Sequence, residues 1–424
     1  MLNRLLKLDG ELNNSTLRHN FMANVMDGGL YAFAMSIISL QTVLPVFVKN
    51  IGGTNVSVGL IPVIWMMGIN FPQIFFARYV QKFPYKKSLM LKTGLIQRLP
   101  WAFLAIATFF FMTDAPVAVS LLLFFTFFTM AALSGSFNLP VWFDLITKIT
   151  PVKVRGRLFA IRSLIGAVLG IIGGWVVLRV LDMVAFPANF AILFMAAFVL
   201  MMISFGFLVT LREEEPNQPK QNVKLKEYYR NLPVILKTHI NYRNFLIADA
   251  LFITSITATA FFTVHAIDKF MLSDAYAGTF TMIMMMSMIA GSLLLGYMAD
   301  MLGHRINIII ASTAIFVACL IALFVTHVYL YYFVFVLSAM TLSIMMISRL
   351  PIIAEMCSDD ERPTYVALTN MITSPFFLAG ILGGWAANRF GYEIVFIFSA
   401  IFAGAAAVWL ITMVREPRSI VKPI

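Results

Sequence analysis

The chain has 424 residues, 60% hydrophobic and 12% charged, against roughly 45–50% and 25% in soluble domains. That balance excludes an ordinary soluble domain and makes lipid the main solvent. Cys319 and Cys357 are the two cysteines, too few for a disulfide framework or a thiolate cluster. The formal net charge of +11 calls for an explanation from membrane topology before one from nucleic acid, and no nucleic-acid partner is expected.

In chain order, Leu2, Leu5, Leu6 and Leu8 among Arg4 and Lys7 predict a short interfacial helix, with no apolar run long enough for a signal peptide. Apolar windows cut at charge and at Pro/Gly clusters then give twelve spans, approximately 21–48, 56–80, 88–113, 116–144, 157–181, 185–211, 244–267, 275–299, 305–326, 328–355, 364–388 and 391–414. The longest polar stretch, Arg212 to Arg243, carries an amphipathic KLKEYYRNLPVILK segment and reads as a linker. With the N-terminus cytoplasmic, all but eight of the 31 Lys and Arg residues fall on the cytoplasmic side. Four of the eight (Lys49, Arg179, Lys269, Arg389) lie on the other side and four (Lys92, Arg98, Arg162, Arg349) within spans. The positive-inside rule therefore predicts cytoplasmic N- and C-termini, in a multi-pass protein of the plasma (cell inner) membrane.

The chain also repeats itself. Gly170-x-x-x-Gly174-Trp175 recurs as Gly380-x-x-x-Gly384-Trp385; Leu139-Pro140 with Asp144 recurs as Leu350-Pro351 with Glu355; Asn20-Phe21 with Asp27 recurs as Asn244-Phe245 with Asp249. Three matches in one order predict two parallel six-span halves. The expected organisation is an N-terminal bundle over 1–211, a cytoplasmic linker over 212–243 and a C-terminal bundle over 244–424. The glycines let helices approach closely in lipid.

Between spans 8 and 9 stands GYMADMLGHR, with Gly296, Asp300, Gly303 and Arg305 spaced like the signature loop of the major facilitator superfamily. The twelve spans, central linker and duplication also resemble that family along the whole chain. The loop's first-half counterpart is the weaker ARYVQKFPYKK, with Gln81 and Pro84 where Asp and Gly would stand. The resemblance implies an all-α membrane protein of two pseudo-symmetric six-helix bundles. It implies that spans 1, 4, 7 and 10 line a cavity, which makes Tyr31, Thr42, Asn138, Trp142, Ser255 and Thr259, with Arg349, cavity-lining candidates. It also implies that Asp300 approaches the start of span 5 near Gly156 and Arg157, and that Arg305 pairs with Glu355.

An ionisable residue inside a span is expensive and is read as a functional candidate with a partner. By helix rise, Asp249 and Arg349 lie ~8 and ~9 Å from their cytoplasmic ends, and Asp27 and Arg162 ~10 and ~8 Å. The matched depths predict the pairs Asp249–Arg349 and Asp27–Arg162. Two roles stay open for them, a proton switch at a cytoplasmic gate and permanent ion pairs that satisfy buried charge. Arg98, on a peripheral span, reads as a packing or headgroup residue, and Lys92 can snorkel.

The sequence lacks a phosphate-binding Gly-Lys-Ser/Thr loop, HExxH and Gly-x-Ser-x-Gly, so ATP-driven transport and hydrolysis are not expected, nor is any cofactor or metal. The expected function is secondary active transport of a small organic solute by alternating access, by a monomer in the bilayer. Carboxylates without a recognisable sodium cage favour the proton as coupling ion. A lipid or glycolipid flippase and a multidrug exporter of the same fold are alternatives, as is a non-transporting receptor or scaffold. The excess of cationic over acidic residues within spans points weakly to an anionic or zwitterionic solute.

Overall fold

A computed structural model describes residues 15–81, 83–112, 114–214, 235–358 and 361–420. The interfacial helix predicted at Leu2–Leu8 and most of the KLKEYYRNLPVILK segment lie outside these residues. Every regular element described is helical. In the first half these are α1 (Ser15–Ile37), α2 (Val43–Asn50), α3 (Asn55–Gln81), α4 (Lys87–Phe110), α5 (Val117–Ile149), α6 (Val152–Met183) and α7 (Ala188–Thr210). In the second they are α8 (Ile240–Ser255), α9 (Phe262–Phe270), α10 (Tyr276–Leu302), α11 (His304–Phe324), α12 (Val328–Ala354), α13 (Arg362–Thr373), α14 (Ala379–Phe390), α15 (Tyr392–Met413) and the short α16 (Pro417–Ile420).

Ten helical stretches among the described residues are long and apolar enough to cross a membrane, and the Asn55–Asn70 part of α3 is a shorter apolar helix. With α1 and α2 together forming the first crossing, the fold has twelve spans. Three are interrupted: the first at residues 38–42, the seventh by a 3-10 turn at Ile256–Ala260 and the eleventh by another at Ser374–Leu378. Non-helical backbone at membrane depth is tolerated where protein buries it, and Thr257, Ala258 and Ala260 of the seventh crossing are buried. Helix starts follow proline, whose fixed φ and missing N–H suit a first turn: Pro116 and Pro151 sit extended just before α5 and α6. Gly303 and Gly391 turn the chain between α10 and α11 and between α14 and α15 at φ +86° and +89° with ψ near 170°, a conformation essentially reserved to glycine.

The duplication extends to packing. The first span packs on the sixth through α1 and α7, and the seventh on the twelfth through α8 and α15. The third contacts the fourth and sixth through α4, α5 and α7, as the ninth contacts the tenth and twelfth through α11, α12 and α15. A polar clamp repeats as well. Asn20 donates to the Arg212 carbonyl and accepts the Arg212 N–H (2.9 and 2.8 Å), while Asn241 does the same for Arg415 (3.0 and 2.7 Å). The next residue is a glutamate each time. Glu213 accepts the N–H groups of Lys86 and Lys87 at the start of α4 (2.8–3.0 Å), and Glu416 accepts that of Arg305 at the start of α11 (3.2 Å). Both carboxylates sit where a helix presents unsatisfied donors and positive dipole.

Packing divides the described residues into two compact units, one of those up to Ser39 and from Gly68 to Glu214, the other of Leu40–Met67 and those from Ile235. Within the second unit the N-terminal part of α3 crosses α14 backbone to backbone: a Cβ at Gly380 would stand 2.6 Å from the Gly59 carbonyl oxygen. The second copy of the glycine repeat is thus a close helix crossing, which in lipid must rest on packing.

The signature loop corrects one expectation. Arg305 does not pair with Glu355; its guanidinium donates to the carbonyls of Leu410 and Ile411 at the end of α15 (3.1 and 2.8 Å). Glu355 instead takes Arg418 (2.8 Å) and lies 3.7 Å from His304. Those last-turn carbonyls of α15 have no partner within their own helix, and Arg305 fills them. Asp300 contributes its backbone carbonyl to Arg418 (3.0 Å). Gly296, one turn before it, has open space around its Cβ position.

Candidate functional site

Each unit holds one buried acid–arginine centre inside its spans. In the first, the carboxylate of Asp27 on α1 is 3% exposed and is reached from three helices. Arg162 of α6 donates Nη1 to Oδ2 (2.9 Å), Ser204 of α7 donates to Oδ1 (2.7 Å), and Arg98 of α4 brings Nη2 to 3.9 Å. Gly28 makes the close approach of α6 possible, because a side chain there would occupy the space of Arg162. The Nη1 atom of Arg162 also donates to the backbone carbonyl (2.9 Å) and the side-chain oxygen of Asn24, and its guanidinium stands 4.6 Å over the Trp142 ring.

Arg98 is fully buried, held by the carbonyls of Met201 and Gly94 (2.9 and 2.7 Å) and stacked near the rings of Tyr31 and Phe205. The peripheral span that carries it directs it inward, onto Asp27. From there a polar chain crosses α4, α5 and α1: Thr93 donates to Asn138 (3.1 Å), Asn138 to Gln97 (2.8 Å) and Gln97 to the Tyr31 hydroxyl (3.1 Å). Gln97, Ser204 and the contact of Arg98 with Asp27 escaped the sequence reading. A glutamine and an arginine side by side in an apolar span were the available signal for two of them; a serine in such a span carries none.

In the second unit Asp249 of α8 is 2% exposed and meets Arg349 of α12 bidentately. Nε lies 3.1 and 3.2 Å from the two carboxylate oxygens and Nη2 lies 2.8 Å from Oδ2. Asn370 and Thr373 of α13 take the remaining reach of the guanidinium, at 3.3 Å from Nη1 and 3.1 Å from Nη2. Such geometry is what a buried ion pair needs to offset desolvation. Both sequence-inferred pairs are therefore in contact.

The six cavity candidates separate. Tyr31, Asn138 and Trp142 belong to the first centre or its polar chain. Thr42 is buried, its hydroxyl 2.5 Å from that of Thr281, and Ser255 is buried with its hydroxyl donated to the Phe252 carbonyl. Thr259 lines a cavity wholly inside the second unit, with Gln41, Thr257, Ser338, Thr341 and Phe377 among its walls. Its walls are apolar, with a few hydroxyls and one amide. Among the described residues no group of His, Cys, Asp and Glu is placed to hold a metal.

Twelve crossings with paired charges inside two compact units define a polytopic helical membrane protein. Residues 245–424 match the family model of the Major Facilitator Superfamily. A bacterial homologue of the human lysosomal transporter Spinster, in an inward-facing, unoccupied conformation, superposes with a TM-score of 0.72 at 12% identity over 97% of this chain and 100% of its own. The D-xylose-proton symporter gives 0.70 at 14% over 97% and 100%, and the nucleoside transporter NupG gives 0.67 at 14% over 94% and 98%. No curated protein matches in sequence. The second half is thus similar in sequence to the Major Facilitator Superfamily, and the whole chain shares the fold of these solved transporters.

Proposed function

We propose that the chain is a secondary active transporter moving a small organic solute by alternating access, with the proton as coupling ion. It works as a monomer in the plasma membrane with both termini cytoplasmic, the two six-span halves being its functional units. Asp249 with Arg349, and Asp27 with Arg162, act as the proton-responsive gate; Tyr31, Asn138, Trp142 and Thr259 face the solute path; the loop from Gly296 to Arg305 with Glu355 steadies one state. The observation that carries this reading is the bidentate Asp249–Arg349 pair inside two apolar spans, because protonating the carboxylate would release the arginine and its α13 contacts together. The D-xylose-proton symporter, of the same fold, supports proton coupling as a mode open to this architecture.

The test is uptake into proteoliposomes from a panel of metabolites and drugs, with an imposed pH gradient. Wild-type uptake should follow the gradient, and Asp249→Asn should exchange solute without responding to it. Unchanged proton-driven uptake in Asp249→Asn would overturn the coupling role.

A further inference from the structure

The two centres use their arginines differently. Arg349 engages all three of its nitrogens, on Asp249, Asn370 and Thr373. Arg162 engages one: Nη1 makes every hydrogen bond the side chain has among the described residues, and Nε and Nη2 have none. The side chain is 16% exposed, so these two donors are open to a ligand. They form one edge of a planar fork whose spacing matches the two oxygens of a carboxylate or phosphate.

Charge and donor balance point the same way. Asp27 faces both Arg98 and Arg162, which leaves one uncompensated positive charge where water is scarce. Next to the fork, Asn24 is fully buried; its oxygen is held by Arg162 and its Nδ2 has no partner. Tyr31, within Coulombic reach of Arg98, Asp27 and Arg162, accepts from Gln97 and has no acceptor for its own hydroxyl proton among the described residues. Unused donors and a net cation are complementary to an oxyanion. A buried donor left unpaired costs about 1–3 kcal/mol, and a ligand oxygen would relieve that. Trp142 backs the guanidinium at 4.6 Å and fixes the plane of the fork.

We propose that Arg162, with Asn24 and Tyr31, is an oxyanion-binding subsite that takes a carboxylate or phosphate group through Nε and Nη2. It rests on the transport reading only for the assignment of that anion to a transported solute; binding itself is independent of transport. The anion has two sources, a free solute or a lipid headgroup.

The experiment uses the full chain in phosphatidylcholine nanodiscs and follows thermal unfolding in inorganic phosphate, acetate and chloride at matched ionic strength. Phosphate and acetate should raise the unfolding temperature above chloride. The apparent affinity should fall roughly tenfold or more in Arg162→Gln, and also in Arg162→Lys, which keeps the charge and loses the fork. Arg179→Gln, at an exposed arginine of the same helix, should retain the anion response. If Arg162→Gln does not fold, Arg162→Lys carries the test alone. Equal responses to all three anions in the wild type, or an undiminished phosphate response in Arg162→Lys, overturns the proposal. Repeating the titration with phosphatidylglycerol present separates the sources: competition with phosphate assigns the subsite to a headgroup, and an unchanged phosphate affinity assigns it to a free solute. Anion binding with no uptake of any solute would overturn the transport reading and leave the subsite standing.

Discussion

Asp27 and Asp249 occupy corresponding places in the two halves, each buried, each on the first crossing of its half and each bonded to an arginine, yet their surroundings differ in kind. Asp249 has a single cation in bidentate register, and that cation is fully occupied. Asp27 has two cations and a serine, none of them bidentate. Duplication supplied the same acid twice, and divergence of the neighbours made one centre neutral and closed and the other positive and open. Each centre keeps an acid that one proton would uncouple from its arginine, and the open one has donors to spare for an anion as well.

The sharpest way to break this comparison is to remove each arginine. Arg349→Ala leaves Asp249 without its cation, and breaking a buried pair from one side costs about 3–5 kcal/mol. Equilibrium unfolding in mixed micelles should show that loss, and adding Asp249→Asn should restore most of it. Arg162→Ala should cost less, on the order of 1–3 kcal/mol, because Arg98 and Ser204 still face Asp27. Equal costs for the two would mean that Arg98 does not compensate. Smaller again is Ser204→Ala, which removes one hydrogen bond to a charged group, about 1.5–3 kcal/mol at full strength but partly offset here by the two guanidiniums. Its double-mutant coupling with Arg162→Ala should be measurable, since both groups share one carboxylate.

The spans and the two acid–arginine pairs were legible because hydropathy, helix rise and burial cost are properties of single positions. Three features were not. The interruptions of spans 1 and 7 leave no proline or charge signature at residues 38–42 or 256–260, since they depend on tertiary burial of the freed backbone groups. The contact of Arg98 with Asp27 was another, because a peripheral span says nothing about which way one side chain on it points. The repeated Arg-Glu step after spans 6 and 12, Arg212-Glu213 and Arg415-Glu416, is two residues long in polar sequence; its meaning lies in the asparagine clamps and the helix starts it meets across the bundle.

That repeated step gives the smallest effect and a second test of divergence between halves. Glu213 accepts the N–H groups of Lys86 and Lys87 and pairs with Lys148 at 2.7 Å, while the Arg305 N–H stands 3.2 Å from Glu416. Burial is the largest influence on Glu416 and pushes its carboxyl above the ordinary carboxylate range, against the Arg305 N–H, which lowers it. A carboxyl whose folded pKa exceeds its unfolded one contributes stability that is complete below the unfolded value and is lost as pH rises through the folded value. The second unit should therefore lose a little stability as pH rises from the ordinary carboxylate range through the raised value. Glu416→Gln, which stays neutral, should abolish that slope in unfolding measured across the window. A slope that persists in Glu416→Gln would assign it to another group, with His304 and Glu355 3.7 Å apart as the next pair to substitute.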